Sequence, residues 1–163
     1  MNVRGSLSRE TIARFLSVQT IPIRIGCRTP SGHPWMLSMW YRSRAAGDDG
    51  SDEWVLECAT GAEAKVVTYL TENPEVSFEI STNQPPYTGV RGRGTATIEP
   101  DPEKDVLRSL VNRYLGGPKS TLAQTLLSGD REEVTITIEP SVVYGWDFSQ
   151  RMREFENSVK KTE

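Results

Sequence analysis

Between residues 21 and 28 apolar and polar side chains alternate without a break. Ile21, Ile23, Ile25 and Cys27 fall on one side, Pro22, Arg24, Gly26 and Arg28 on the other. A period of two places the first set on one face of a pleated strand and the second on the opposite face, the pattern of a half-buried strand. Further strand-like runs follow at 35–41, 54–59, 76–80, 88–99, 133–138 and 142–146. The run at 35–41 is apolar on both faces, which predicts a buried, central strand. The run at 88–99 carries glycines at 89, 92 and 94, the mark of bulges, bends or close backbone approach.

Helical segments are few and short. Ser6 and Ser8 can cap a helix reaching Val18, with Ile12, Phe15 and Leu16 as its apolar face. A second is predicted over 62–71, stopped by Asn73-Pro74. A third opens at Asp101-Pro102-Glu103, where a cap, a proline and an acid stand in order, and stops at Gly116-Gly117-Pro118. A short fourth is expected over 121–127. Residues 29–34 read as a turn and 43–52 as an exposed hairpin loop, and 82–87 reads as a loop. Six or seven strands, three or four helices and no βαβ repeat predict a mainly β protein, an antiparallel barrel with helices on its rim. One domain over 1–149 and a charged tail over 150–163 account for the chain.

Composition narrows the function classes. The net charge of −3, with scattered basic residues, argues against nucleic acid as the main partner. The longest apolar runs are a few residues, and the opening residues lack the apolar stretch of a secretory signal. A cytoplasmic protein with no membrane span is expected. Cys27 and Cys58 both lie in strand-like segments and read as buried thiols. One histidine, His33, cannot build a His/Cys metal cluster.

Three places can carry chemistry. At the junction Thr60-Gly61, a strand hands over to a helix, and a helix N-terminus with Thr60 and Lys65 beside it suits a phosphate. The same residues also read as an ordinary N-cap and a solvated lysine. In Val90-Arg91-Gly92-Arg93-Gly94 the arginines share one face and can meet an anion bidentately, or simply face solvent. The aromatic set Trp35, Trp40, Trp54, Tyr87, Tyr144 and Trp146 can stack on a planar ring or fill the core. No carboxylate spacing marks an acid/base pair, so no catalytic residue is named.

The order of these segments, from Glu10 to Phe148, resembles the pyridoxamine 5'-phosphate oxidase-like FMN-binding split β-barrels. The resemblance rests on Ser31-Gly32-His33-Pro34 with the strand after it, on Thr60 to Lys65, and on Asn73-Pro74-Glu75-Val76-Ser77. Val90-Arg91-Gly92-Arg93-Gly94-Thr95-Ala96 and Pro140-Ser141-Val142-Val143-Tyr144-Gly145-Trp146 complete it. It implies a Greek-key-like split barrel, a homodimer and two flavin sites along the seam. Lys65 with Thr60 would hold the FMN phosphate. Met36, Leu37, Ser38, Met39 and Trp40 would run beside the isoalloxazine, and Arg91 and Trp146 would reach it from the partner subunit, with Tyr87 close by. An all-round apolar strand at 35–41 also needs cover that one barrel cannot give, which again predicts a second copy.

Members that oxidise pyridoxamine phosphate carry an Arg-Leu-His-Asp-Arg-like stretch after the tryptophan. Here Trp146 is followed by Asp147-Phe148-Ser149-Gln150-Arg151-Met152-Arg153, without the histidine. Vitamin B6 synthesis is therefore not the expected activity. Related barrels bind a deazaflavin or haem; a lone histidine in a turn does not suit a haem ligand. The expectation is an FMN-binding oxidoreductase acting on a small molecule. The alternatives are a deazaflavin-dependent reductase, a non-catalytic flavin-binding or storage protein, and a purely structural dimeric domain.

Overall fold

The computed structural model describes residues 1–45 and 53–153. The elements run β1 (Asn2–Gly5), α1 (Arg9–Val18), β2 (Ile23–Arg28), β3 (Pro34–Met39), β4 (Arg42–Ala45) and β5 (Trp54–Gly61). Then come α2 (Lys65–Glu72), β6 (Glu75–Ser81), β7 (Thr88–Pro100), α3 (Asp105–Leu115), α4 (Thr121–Leu126) and β8 (Glu133–Asp147). The strands form one sheet in the order β3-β2-β6-β7-β8-β5-β4, and β1 joins β8 in parallel. The other pairings are antiparallel.

The alternation that marks β2 also places the core. Ile23 and Ile25 point inward with Phe78 and Ile80 of β6, Val90 of β7 and Ile136 and Ile138 of β8, all buried. Ile12 and Leu16 of α1 and Val66 and Leu70 of α2 pack into the same cluster. Each large apolar side chain so buried contributes ~1.5–3 kcal/mol. A smaller cluster lies under α3 and α4, where Leu107, Val111 and Ala123 cover Trp40 and Ala59. Ser8 caps α1, accepting from Thr11 N, and Gly116 closes α3 in the left-handed conformation at φ 69°.

Several expectations are corrected. The sheet has eight described strands, not six or seven. β1 and β4 are short and polar in sequence, and β4 is held by Arg42 and Arg44, which pair with buried Glu57 of β5 at 2.7 and 2.5 Å. β4 also replaces the first residues of the loop expected over 43–52; the rest of that loop lies outside the described residues.

The two runs at 133–138 and 142–146 are one continuous strand. Between Arg93/Gly94 and Val142/Pro140 the register slips by one residue, leaving Ser141 unmatched. A proline has no N–H to give, and this bulge is where a long strand tolerates Pro140. A Cβ on Gly94 would stand 2.2 Å from the Glu139 carbonyl oxygen, so only glycine lets β7 and β8 approach there.

The run at 35–41 is not a central strand. β3 pairs with β2 alone and ends the sheet, with Trp35 45% and Met36 72% exposed; Tyr41, beyond its end, is fully buried. Two helix starts also move. α2 begins at Lys65 and not at 62, because Thr60 and Gly61 remain in β5, opposite Val134 and Glu133. α3 begins at Asp105, yet the expected cap works at a distance, since the Asp101 carboxylate accepts from Asp105 N and Val106 N. Of the charged tail, residues 150–153 lie in a helical turn and the remainder lies outside the described residues. No described helix is long and apolar enough to cross a membrane.

Candidate functional site

The face of the sheet turned away from the core carries polar and aromatic side chains in cross-strand rows. One row runs Ser38, Arg24, Glu79, Arg91, Tyr144, Arg4 across β3, β2, β6, β7, β8 and β1. The next runs Met36, Gly26, Ser77, Arg93. Residues directly opposite in neighbouring strands stand about 4.5–5.5 Å apart at Cβ, so each row is a continuous strip of contacts. Two adjoining depressions, of about 500 and 800 Å³, open along these rows and share Gly26, Met36, Ser77 and Arg93. The smaller is bounded by Arg91 and Tyr144, the larger by Trp35 and Arg28.

Inside this face the charges are ordered. Arg24 donates to Asn83 Oδ1 at 2.8 Å and reaches Glu79 and Ser81 at 3.4 Å, while Ser81 Oγ donates to Glu79 at 2.8 Å. Arg4 donates to the Tyr144 hydroxyl at 3.2 Å and also lies over its ring. The Arg91 guanidinium sits 5.6 Å from the Trp146 ring centre, a cation–π contact. The indole in turn lies against Gly89, where a Cβ would come within 2.7 Å of Trp146 Cζ2. Cys27 borders the larger depression, and burial pushes its thiol up, so it stays a thiol at neutral pH. Cys58, deep in the core, is pushed up to about 12 by burial, and both cysteines are unpaired.

The expected site residues divide into groups. Met36, Arg91 and Trp146 meet on the outer face, with Ser38 in the same row as Arg91. Leu37 and Met39, on the opposite face of β3, pack against the core. Trp40 lies elsewhere, stacked on Tyr114 at 5.2 Å with an interplanar angle of 8°. Tyr87 is 41% exposed in the loop before β7, its carbonyl accepting from Phe148 N at 3.0 Å. Thr60 is half-buried in β5, and Lys65 is exposed at the first position of α2. Thr60 is therefore a strand residue, not an N-cap. Ala64 takes the cap position with no side-chain hydrogen bond, which leaves the first N–H groups of α2 free of a side-chain acceptor beside Lys65.

Reading by residue type misses Tyr144 as a partner of Arg4, because β1 is too short to carry a period. It also misses the Arg24–Glu79–Ser81–Asn83 network. The signal for that network was present: Arg24 stands on the polar face of the clearest strand in the chain.

These residues suit a flavin-type group. The edge of β3 away from β2 keeps its backbone N–H and C=O groups unpaired, as polar ring atoms require. Aromatic and guanidinium surfaces stand on the neighbouring face, and an uncapped helix start with a lysine offers donors to a phosphate.

No protein-family model and no curated protein matches the chain. Solved structures do. A conserved hypothetical protein of Mycobacterium tuberculosis superposes with a TM-score of 0.66 at 25% identity, over 90% of each chain. An F420 reductase gives 0.59 at 23% identity, over 78% of this chain and 92% of its own. A putative pyridoxamine 5'-phosphate oxidase of Listeria innocua gives 0.56 at 16% identity, over 86% and 98%. With its mainly antiparallel sheet, its inward alternation and its rim of short helices, the chain has the split β-barrel fold of the pyridoxamine 5'-phosphate oxidase-like proteins.

Proposed function

We propose that this chain binds a flavin-type cofactor in sites shared between two copies and serves as an oxidoreductase for a small organic molecule. The observation that carries the reading is the open outer sheet face, with Arg91 over Trp146 on β7 and β8 and the exposed Met36 on β3, whose far edge is unpaired. A flavin supplies hydride and electron transfer when bound; the protein supplies binding, orientation and electrostatics. Lys65 and the start of α2 would hold the phosphate as fixed positive charge. Met36, Leu37, Ser38, Met39 and Trp40 bring the β3 edge and its following turn beside the ring, with Thr60 near the phosphate end. Arg91, Trp146 and Tyr87 would come from the second copy. Met36, Tyr87 and Tyr144 are large apolar or aromatic side chains left exposed on one subunit, which fits a face covered by a partner.

A deazaflavin is the second reading, favoured by the similarity to an F420 reductase over 92% of that chain. The two are separated by absorbance titration of the purified protein with FMN and with a deazaflavin. Saturable binding of either, weakened about tenfold or more in Lys65→Ala, supports the reading, since a charged hydrogen bond to phosphate is worth ~1.5–3 kcal/mol. A protein that binds neither contradicts it.

A further inference from the structure

Arg93 has no role in the cofactor scheme above, and its surroundings give it one. Among the described residues its side chain makes no hydrogen bond, ion pair or ring contact. Arg24 is tied to Glu79 and Asn83, Arg28 donates to the Gly32 carbonyl, and Arg91 rests on Trp146. The free guanidinium of Arg93 lines both depressions of the outer face, on the wall they share.

What stands beside it is built for contact. In its row, Ser77 lies directly opposite, then Gly26, then Met36. A Cβ on Gly26 would stand 2.6 Å from Ser77 Oγ, so the glycine leaves a low floor covered only by that hydroxyl. Met36, 72% exposed, forms the apolar wall at the far end. A small molecule lying on this floor would meet a thioether at one end, a hydroxyl beneath it and an unpaired planar fork at the other end. The charge balance points the same way. Four arginines (24, 28, 91 and 93) line the two depressions against the two carboxylates of Glu75 and Glu79, on a chain whose net charge is −3. The smaller depression, of about 500 Å³, has the size of a small-ligand cleft.

We propose that Arg93 is a specificity-determining residue that pairs, bidentately, with the carboxylate of a small organic acid whose apolar body lies over Gly26 and Ser77 against Met36. This rests on the proposed cofactor reading for its consequence, namely that the molecule brought to the flavin-type site is an anion. It does not rest on that reading for the binding itself.

The test uses the full chain with benzoate as the probe and benzamide as its uncharged counterpart. The readouts are calorimetric titration and the Nε–H resonances of ¹⁵N-labelled arginine. Benzoate is expected to bind the wild type and to shift the Arg93 resonance, with benzamide binding about tenfold more weakly or worse. Arg93→Gln is expected to lose about tenfold in benzoate affinity while FMN affinity stays within about twofold. Arg93→Lys, which keeps the charge and loses the fork, is expected to recover only part of it, and it carries the test if the glutamine variant does not fold. Equal binding of benzoate and benzamide, or benzoate affinity unchanged in both variants, overturns the proposal. So does dissociation of the copies on Arg93→Gln in sedimentation, which would make a carboxylate of the second chain its partner. Failure of the wild type to bind FMN or a deazaflavin, with benzoate binding still dependent on Arg93, would remove the cofactor reading and leave the acid site standing.

Discussion

Arg113 shows how much one side chain does away from the site. From α3 its guanidinium donates to the carbonyls of Leu16, Ser17 and Gln19, acceptors at the C-terminus of α1 that have no partner inside the helix; the Tyr41 hydroxyl shares those of Leu16 and Gln19. It also lies 5.5 Å from the Tyr41 ring centre and 6.0 Å from that of Tyr114. Arg113→Ala leaves the Ser17 carbonyl without a side-chain donor and those of Leu16 and Gln19 with the Tyr41 hydroxyl alone, and is expected to cost roughly 2–3 kcal/mol, read from urea unfolding midpoints, with lysine restoring less than half. Glu133 gives a second residue-scale prediction. Buried beside Arg131 and Lys104, its carboxyl is raised above the ordinary value of 4.5, burial being the leading cause. A raised carboxyl favours the folded state while protonated, so its contribution is complete below about 4.5 and is lost as pH rises through the folded value. Glu133→Gln, which cannot ionise, should therefore gain stability relative to wild type as the pH is taken upward from 4.5. Paired unfolding curves across that range would show the gap widening; a constant or narrowing gap contradicts the assignment.

At the scale of elements, the bulged pairing of β7 with β8 is the strictest joint. Gly94→Ala would bring its methyl group to 2.2 Å from the Glu139 oxygen, so the substitution must push the strands apart at the bulge. A loss of roughly 1–3 kcal/mol in thermal or urea unfolding is expected, the range for overpacking a close contact. An unchanged midpoint would mean the bulge is soft. This joint was legible in the chain, since glycines at 92 and 94 stood in an otherwise β-rich run. β2 was legible for the same kind of reason, its alternation being set by burial of one face. β3 was not. Its sequence is apolar on both faces because Trp35, Leu37 and Met39 face α2 and the core while Met36 faces outward, and a sequence pattern does not say what covers the second face. β1 and β4 were missed because four-residue polar strands carry no period, and β4 depends on the Glu57 carboxylate, a partner remote from it in sequence. Thr60 was misread as a cap because a threonine before a glycine fits a helix start equally well, and only the pairing with Val134 keeps it in β5.

For the molecule as a whole, the candidate site lies in two parts on one subunit. Thr60 stands near the end of β5 and Lys65 at the start of α2, while Arg91 and Trp146 belong to the outer face of β7 and β8. The resemblance read from the sequence put these parts on different subunits of one site, and the exposed aromatic face gives that arrangement a surface to use. Complementation between copies tests it most directly. Lys65→Ala and Arg91→Ala proteins are each titrated with the flavin or deazaflavin that the wild type binds, then mixed, exchanged and titrated again. Each variant alone should lose the cofactor. In the mixture half the dimers are mixed, and each of those carries one undamaged site, so about a quarter of the sites should return. No recovery on mixing, with both variants folded and exchanging, would mean that Lys65 and Arg91 serve the same subunit's site or no common site at all.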